Sequence, residues 1–150
     1  MLRPHSPPPS QNSSVPPAAA TIVVVDDDPS LVEVLSDLLA TEGYAVEGFT
    51  DPTAALARLR RAPAPDLAIV DCIMPYLSGP DLCAALIESG IEVPVLLMTA
   101  LSDPSFCVHP GGEAVLNKPF MLEDLVLEME ARLRPRSGPR TNRPRSAARL

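Results

Sequence analysis

Five polar residues in the 150-residue chain each stand just past a short aliphatic run: Asp26 and Asp27 after TIVVV, Asp71 after LAIV, Thr99 after VPVLLM, and Lys118 after AVLN. Ligands of an open α/β sheet sit outside the carboxyl ends of its strands. If these runs are neighbouring parallel strands, the five side chains therefore share one edge. Two unit charges ~4 Å apart repel by about 4 kcal/mol at an effective dielectric near 20. Three such carboxylates call for a cation, and hard oxygen ligands with open positions suit Mg²⁺. Lys118, the only lysine of the chain, adds a fixed positive charge and Thr99 a hydroxyl donor. A carboxylate nucleophile, a divalent ion, a hydroxyl and an ammonium are the parts that phosphoryl transfer uses.

The elements that must position these residues follow from periodicity. Thr21–Val25 is a β-branched run of the kind that forms a buried parallel strand. Asp28-Pro29 supplies an N-cap and a proline at the first helical position. Leu31, Val34, Leu35, Leu38 and Leu39 continue at helical spacing until Gly43. Tyr44–Val46 begins a weaker second strand, and Asp51-Pro52 repeats the cap signal ahead of Ala55, Leu56 and Leu59. Leu67–Val70 reads as the third strand, and Pro80 opens a helix that stops at Gly90. Val93–Met98 is the fourth strand and Ala114–Leu116 the fifth; Leu122, Leu125, Val126, Met129 and Leu133 mark the last helix. Strands alternating with helices predict an open, mostly parallel α/β sheet covered on both faces. One interval breaks the rhythm. Residues 101–112 (LSDPSFCVHPGG) should hold the fourth helix, but two prolines and two glycines leave room for one or two turns only, a degraded fourth helix.

The stretches IVVVDDDPS (22–30), DLAIVDCIMPYLSGPDL (66–82), PVLLMTA (94–100) and LNKPF (116–120) resemble the receiver domain of bacterial two-component response regulators, over residues 21–133. The resemblance implies a flavodoxin-like (βα)5 fold with strand order 2-1-3-4-5. It also implies transfer of a phosphoryl group from a phosphohistidine, on a sensor histidine kinase or a histidine phosphotransfer protein, to an aspartate. Carried across residue by residue, it makes Asp71 the phosphoacceptor. Asp27 becomes a direct Mg²⁺ ligand, Asp26 a ligand mainly through water, and the carbonyl of Ile73 a further one, with Asp71 itself in the metal set. Thr99 and the backbone amides of Cys72 and Ala100 become contacts of the phosphoryl oxygens. Lys118 becomes the partner of Asp71 and then of the phosphoryl group, before a Lys118-Pro119 bond that is usually cis in the family. Met74-Pro75 and Gly79 match the loop after the acceptor.

The sequence also departs from the family. The switch position three residues before the lysine, usually aromatic, holds Val115. A ring rotation coupled to movement of Thr99 is therefore unavailable. The positions two after the acceptor and two after the threonine hold Ile73 and Leu101, neither able to orient a water, so slow self-dephosphorylation is expected. Two other readings use the same residues: a phosphorylation-independent receiver-like interaction module, and a haloacid-dehalogenase-like phosphatase built on Asp26-Asp27-Asp28. The phosphatase reading lacks the second pair of metal-binding acids and leaves Asp71 idle.

Charge divides the chain into three parts. All 19 acids and only five of the 12 bases lie in 21–133, giving that body −14 against −7 for the whole. Residues 1–20 form a Pro- and Ser-rich leader expected to be disordered. Residues 134–150 carry six arginines and no acid, a basic tail expected to be disordered, with weak contact to nucleic acid or to the acidic body as alternatives. The 17 residues after Leu133 are too few for an output domain, so a single-domain regulator signalling through protein contacts is expected, to an unknown downstream target. His5 and His109 lack the stable helical setting of a relay histidine. Three cysteines without Cys-x-x-Cys spacing read as core thiols of a reducing compartment. With no apolar span near ~20 residues, the expected product is a cytoplasmic signalling protein rather than an enzyme.

Overall fold

The structure is a computed structural model and describes residues 19–100 and 115–133. Strands β1 (Thr21–Val25), β2 (Ala45–Phe49), β3 (Leu67–Asp71), β4 (Val95–Thr99) and β5 (Val115–Asn117) alternate with helices α1 (Pro29–Thr41), α2 (Pro52–Leu59), α3 (Gly79–Glu88) and α4 (Leu122–Leu133). All strand pairs are parallel, Ile22 opposite Val46 and Leu67, Val70 opposite Leu97, and Met98 opposite Leu116. The order across the sheet is β2-β1-β3-β4-β5, the expected 2-1-3-4-5. The expected degraded fourth helix, together with Leu101, Cys107 and His109, lies outside the described residues, as do nearly all of the leader and the whole of the tail.

Alternation along the buried strands divides the core in two. Val23, Val25, Ala68, Val70 and Leu97 face α2 and α3, packing on Ala55, Leu59, Leu82 and Leu86. Ile22, Val24, Ile69, Leu96 and Met98 face α1 and α4, packing on Leu35, Leu39, Leu125 and Met129. Burial of both faces explains why these strands read as unbroken apolar runs.

The element ends follow local chemistry. Asp28 and Asp51 accept from the amides of Ser30 and Thr53 and cap α1 and α2, each with proline in the first turn. Gly43 follows α1 at φ 102, a conformation a side chain would strain. Helix α3 begins at Gly79, before the expected Pro80, because Ser78 and Asp81 form a reciprocal capping box. Strand β4 begins at Val95, although the carbonyl of Pro94 already accepts from Ala68 at 3.0 Å; a proline has no amide to donate to a ladder. Strand β2 runs Ala45–Phe49 because the Tyr44 amide closes the end of α1 on Leu39.

Candidate functional site

The carboxyl edge of the sheet brings the expected residues together. Asp26 directly follows β1, Asp71 and Thr99 end β3 and β4, and Lys118 directly follows β5. Asp26, Asp71 and Thr99 are buried, whereas Asp27 is exposed. One carboxylate oxygen from each of Asp26, Asp27 and Asp71 lies within 4.8 Å of the others. Three acids do not gather so closely without compensation, and the ammonium of Lys118 supplies part of it. Its Nζ lies 2.8 Å from Asp26 Oδ2 and 3.1 Å from Asp71 Oδ1. The family resemblance pairs it with Asp71 alone.

The rest of the site is held by backbone. Asp26 Oδ1 accepts from the amide of Asp28 at 2.9 Å, so the acid that caps α1 also steers Asp26. The amide of Lys118 donates to the Thr99 carbonyl at 2.7 Å, which ties the lysine to the end of β4. The Lys118-Pro119 bond is cis. A Cβ added to Gly79 would stand 2.7 Å from the Asp71 carbonyl oxygen and 3.0 Å from Cys72 Cα. The absence of a side chain there lets α3 begin directly against the strand end, and the Gly79 amide donates to the Cys72 carbonyl at 2.9 Å.

One expectation is corrected here. The amide of Cys72 donates to the Met98 carbonyl at 2.7 Å and is spent on the ladder, so it is not available to a phosphoryl oxygen. The side chains of Cys72 and Cys83 are both buried. Ala100 and Ile73 border the same edge, Ile73 with an exposed side chain. Val115 packs on the α2/α3 side of the core.

The electrostatics carry the mark of crowding. Burial, then the charge of Asp26, lifts the Asp71 carboxyl above its ordinary range, with Lys118 opposing and Asp27 adding to the rise. For Lys118 burial acts downward, but hydrogen bonds and charge from Asp26 and Asp71 outweigh it and raise its pKa. The lysine is therefore an ammonium at neutral pH. The lifted acid beside a stabilised cation is a pocket short of positive charge, and the all-oxygen donor set fits Mg²⁺.

A 2-1-3-4-5 parallel sheet with its polar residues at the carboxyl edge defines the flavodoxin-like class of α/β domains. Within that class, the chain matches the model of the response regulator receiver domain over residues 22–130 and belongs to that family. It is similar to the DNA-binding response regulator MtrA of Mycolicibacterium smegmatis, 38% identical over 110 residues covering 71% of this chain and 47% of MtrA. It is also similar to the response regulator MprA of Mycobacterium leprae, 36% identical over 105 residues covering 68% and 46%. The chain thus spans about half the length of these curated relatives. Among solved structures, the chemotaxis response regulator CheY4 of Vibrio cholerae aligns with a TM-score of 0.68 at 29% identity, covering 77% of this chain and 99% of that one. The BeF3-activated DrrB receiver domain aligns at 0.67 and 27% identity, covering 77% and 97%. Receiver domains accept phosphoryl groups in two-component systems and bind Mg²⁺ at an acidic pocket; the acid cluster of this chain lies at the corresponding edge. Among the described residues no helix is long and apolar enough to cross a membrane.

Proposed function

We propose that Asp71 is the phosphoacceptor of this receiver domain and that the donor is the phosphohistidine of a sensor histidine kinase or a histidine phosphotransfer protein. An Asp71 carboxylate oxygen attacks phosphorus, the phosphorus–nitrogen bond of the donor breaks, and its electron pair stays on the imidazole. The product is an acyl phosphate carrying nearly two added negative charges. The observation that carries this reading is the shared contact of Lys118 with Asp26 and Asp71, which puts a fixed cation where charge develops. Asp26, Asp27, Asp71 and the Ile73 carbonyl would hold Mg²⁺, which when bound neutralises charge on the transferred group. Thr99 and the Ala100 amide would donate to phosphoryl oxygens. As the phosphoryl group arrives, Lys118 exchanges its bond to Asp71 for one to the new oxygens and keeps its bond to Asp26.

Residues 21–133 act as the signalling unit, flanked by the leader 1–20 and the basic tail 134–150, and the signal leaves through contacts with another protein. With Val115 at the switch position, attraction of Thr99 toward the phosphoryl group is relayed without ring rotation, through the Thr99 carbonyl that holds the Lys118 amide.

The test is Mg²⁺-dependent uptake from acetyl phosphate or a histidine kinase, followed by intact mass, for wild type beside Asp71→Asn. One phosphoryl group on the wild type and none on the variant is expected. Lack of uptake by the wild type points instead to a phosphorylation-independent interaction module. Label mapped to Asp26 points to a phosphatase-like enzyme. Burial of Asp26 and the engagement of both its oxygens by Asp28 and Lys118 speak against the latter.

A further inference from the structure

The face formed by α1 and α4 carries apolar groups that the core does not use. On α1, Val34 and Leu38 are 52% and 39% exposed and continue the line of half-buried Leu31 at helical spacing. The side of α1 carrying Val32 and Ser36 lies against Gly48 of β2. Leu31, Val34 and Leu38 therefore occupy the opposite flank, away from β2. Helix α4 packs on the same core as α1, and Glu130 of α4 acts on Tyr44, just past the end of α1, so α4 is the neighbour on that flank. Val126 and Leu133 of α4 are half-buried there, and Leu127 is 64% exposed on its outer surface.

The rims of this groove are of one sign. Helix α1 contributes Glu33 and Asp37 and no base, and Glu42 follows it. On α4, Glu123 and Glu130 stand on the side of Val126 at helical spacing, whereas Asp124, Glu128 and its only base, Arg132, which pairs with Glu128 at 2.9 Å, lie on the opposite side. The cation source lies next in the sequence. Residues 134–150 start where α4 ends and hold Arg134, Arg136, Arg140, Arg143, Arg145 and Arg149 with no acid. Pro135, Pro139 and Pro144 favour an extended chain. At about 3.1 Å per residue in such a chain, six residues return over the ~18 Å of a 12-residue helix, so the segment is long enough to line the whole groove.

We propose that residues 134–150 fold back on their own chain and lie in the α1–α4 groove, arginines against the acidic rims and their methylene stems over Val34 and Leu38. Guanidinium stems cover apolar surface while their heads stay in water, which matches a groove apolar at its floor and acidic at its edges. The contact makes the tail a charge-released cover for this face: raised ionic strength or a competing polyanion uncovers it.

The test uses the full 150-residue chain beside a full-length variant with all six tail arginines replaced by glutamine, compared by amide NMR at about 0.05 M and about 1 M NaCl, where the Debye length falls to roughly 3 Å. Amide shifts confined to residues 31–44 and 122–133 are expected between the two proteins at low salt, unchanged by dilution and lost at high salt. Glu130→Gln with Glu42→Gln in the wild-type background should remove most of that difference. Identical spectra for residues 31–44 and 122–133 at low salt overturn the proposal. A difference that fades on dilution replaces it with tail binding to a second copy. A short DNA duplex that shifts tail signals, with those of α1 and α4 the same in both proteins, replaces it with a nucleic-acid contact. None of these readouts requires phosphorylation.

Discussion

Lys118 Nζ is closer to Asp26, at 2.8 Å, than to Asp71, at 3.1 Å, so the lysine keeps an anchor besides the proposed acceptor. Asp26 is held on its other oxygen by the Asp28 amide, and its side chain is nearly fully buried. This arrangement fixes the ammonium independently of Asp71. As the proposed acceptor, Asp71 is thus free to change charge and bonding without the lysine leaving the pocket.

Lys118→Met tests that anchoring. Removing one partner leaves a buried carboxylate uncompensated, a change that costs about 3–5 kcal/mol in fully buried pairs. The partial exposure of Lys118 screens the pair, and we expect about 1–3 kcal/mol. Urea unfolding without metal should show this loss, and added Mg²⁺ should recover part of it by supplying charge to the same acids. Phosphoryl uptake should fall by at least tenfold. Equal stability of variant and wild type in metal-free buffer would mean that the lysine is not what balances Asp26.

The lifted Asp71 carboxyl gives stability a pH dependence of defined sign. The folded chain binds this proton more tightly than the unfolded chain. Its contribution is therefore fully present below the ordinary carboxylate range and is lost as pH rises through the raised folded value. Asp71→Asn removes the term. At neutral pH and without metal the variant should be more stable by about 1 kcal/mol, the scale of one relieved like-charge contact in a screened site, and the gap should close as pH falls. Saturating Mg²⁺ should reverse the order, since a ligand at about 100 times its dissociation constant adds about 2.7 kcal/mol to the protein that binds it. Thermal melts of both proteins across pH, with chelator and with Mg²⁺, check each limb.

The sequence made the sheet legible because both faces of its strands are buried, so β1, β3 and β4 stand out as aliphatic runs that end in Asp, Asp and Thr. The caps at Asp28 and Asp51 were legible through their prolines. What was not legible depends on three-dimensional neighbours. Asp26 and Asp27 are adjacent in sequence, yet one is buried and the other exposed; their order along the strand cannot say which meets Lys118. The start of α3 was missed because Ser78-x-x-Asp81 is a weaker signal than Ser-x-x-Glu, while Pro80 was conspicuous. The pattern does not reveal that β3 continues its ladder with Met98 through the Cys72 amide, so the family resemblance alone points that amide at the phosphoryl group.

Gly79→Ala probes how the acceptor strand meets α3. The new Cβ would press on the Asp71 carbonyl oxygen at 2.7 Å and on Leu97 Cδ2 at 2.9 Å. Backbone cannot yield as a side-chain tip can, so we expect overpacking of about 1–3 kcal/mol. Because the clash falls on the residue that carries the carboxylate, phosphoryl uptake should drop further than the lost folded fraction explains. Uptake per folded molecule, with the folded fraction taken from circular dichroism, separates the two effects.

The lifetime of the acyl phosphate rests on what stands beside it. Ile73, two residues after Asp71, is 48% exposed at the edge of the site, and an aliphatic group there can neither accept a proton from water nor orient it. Hydrolysis of the acyl phosphate needs a water aligned with phosphorus, and a positioned group that takes its proton contributes about 10²–10⁴-fold in favourable cases. The wild-type protein is accordingly expected to hold its phosphoryl group for many minutes or longer after Mg²⁺-dependent loading and removal of the donor. Ile73→Glu or Ile73→Asn places a polar group at an exposed position without opening the core, so folding should be unchanged while the decay of the phosphorylated mass accelerates by about tenfold, the low end of what such a group provides. Decay in seconds for the wild type, or equal decay for all three proteins, would show that access of water to Asp71 is controlled by some other part of the pocket.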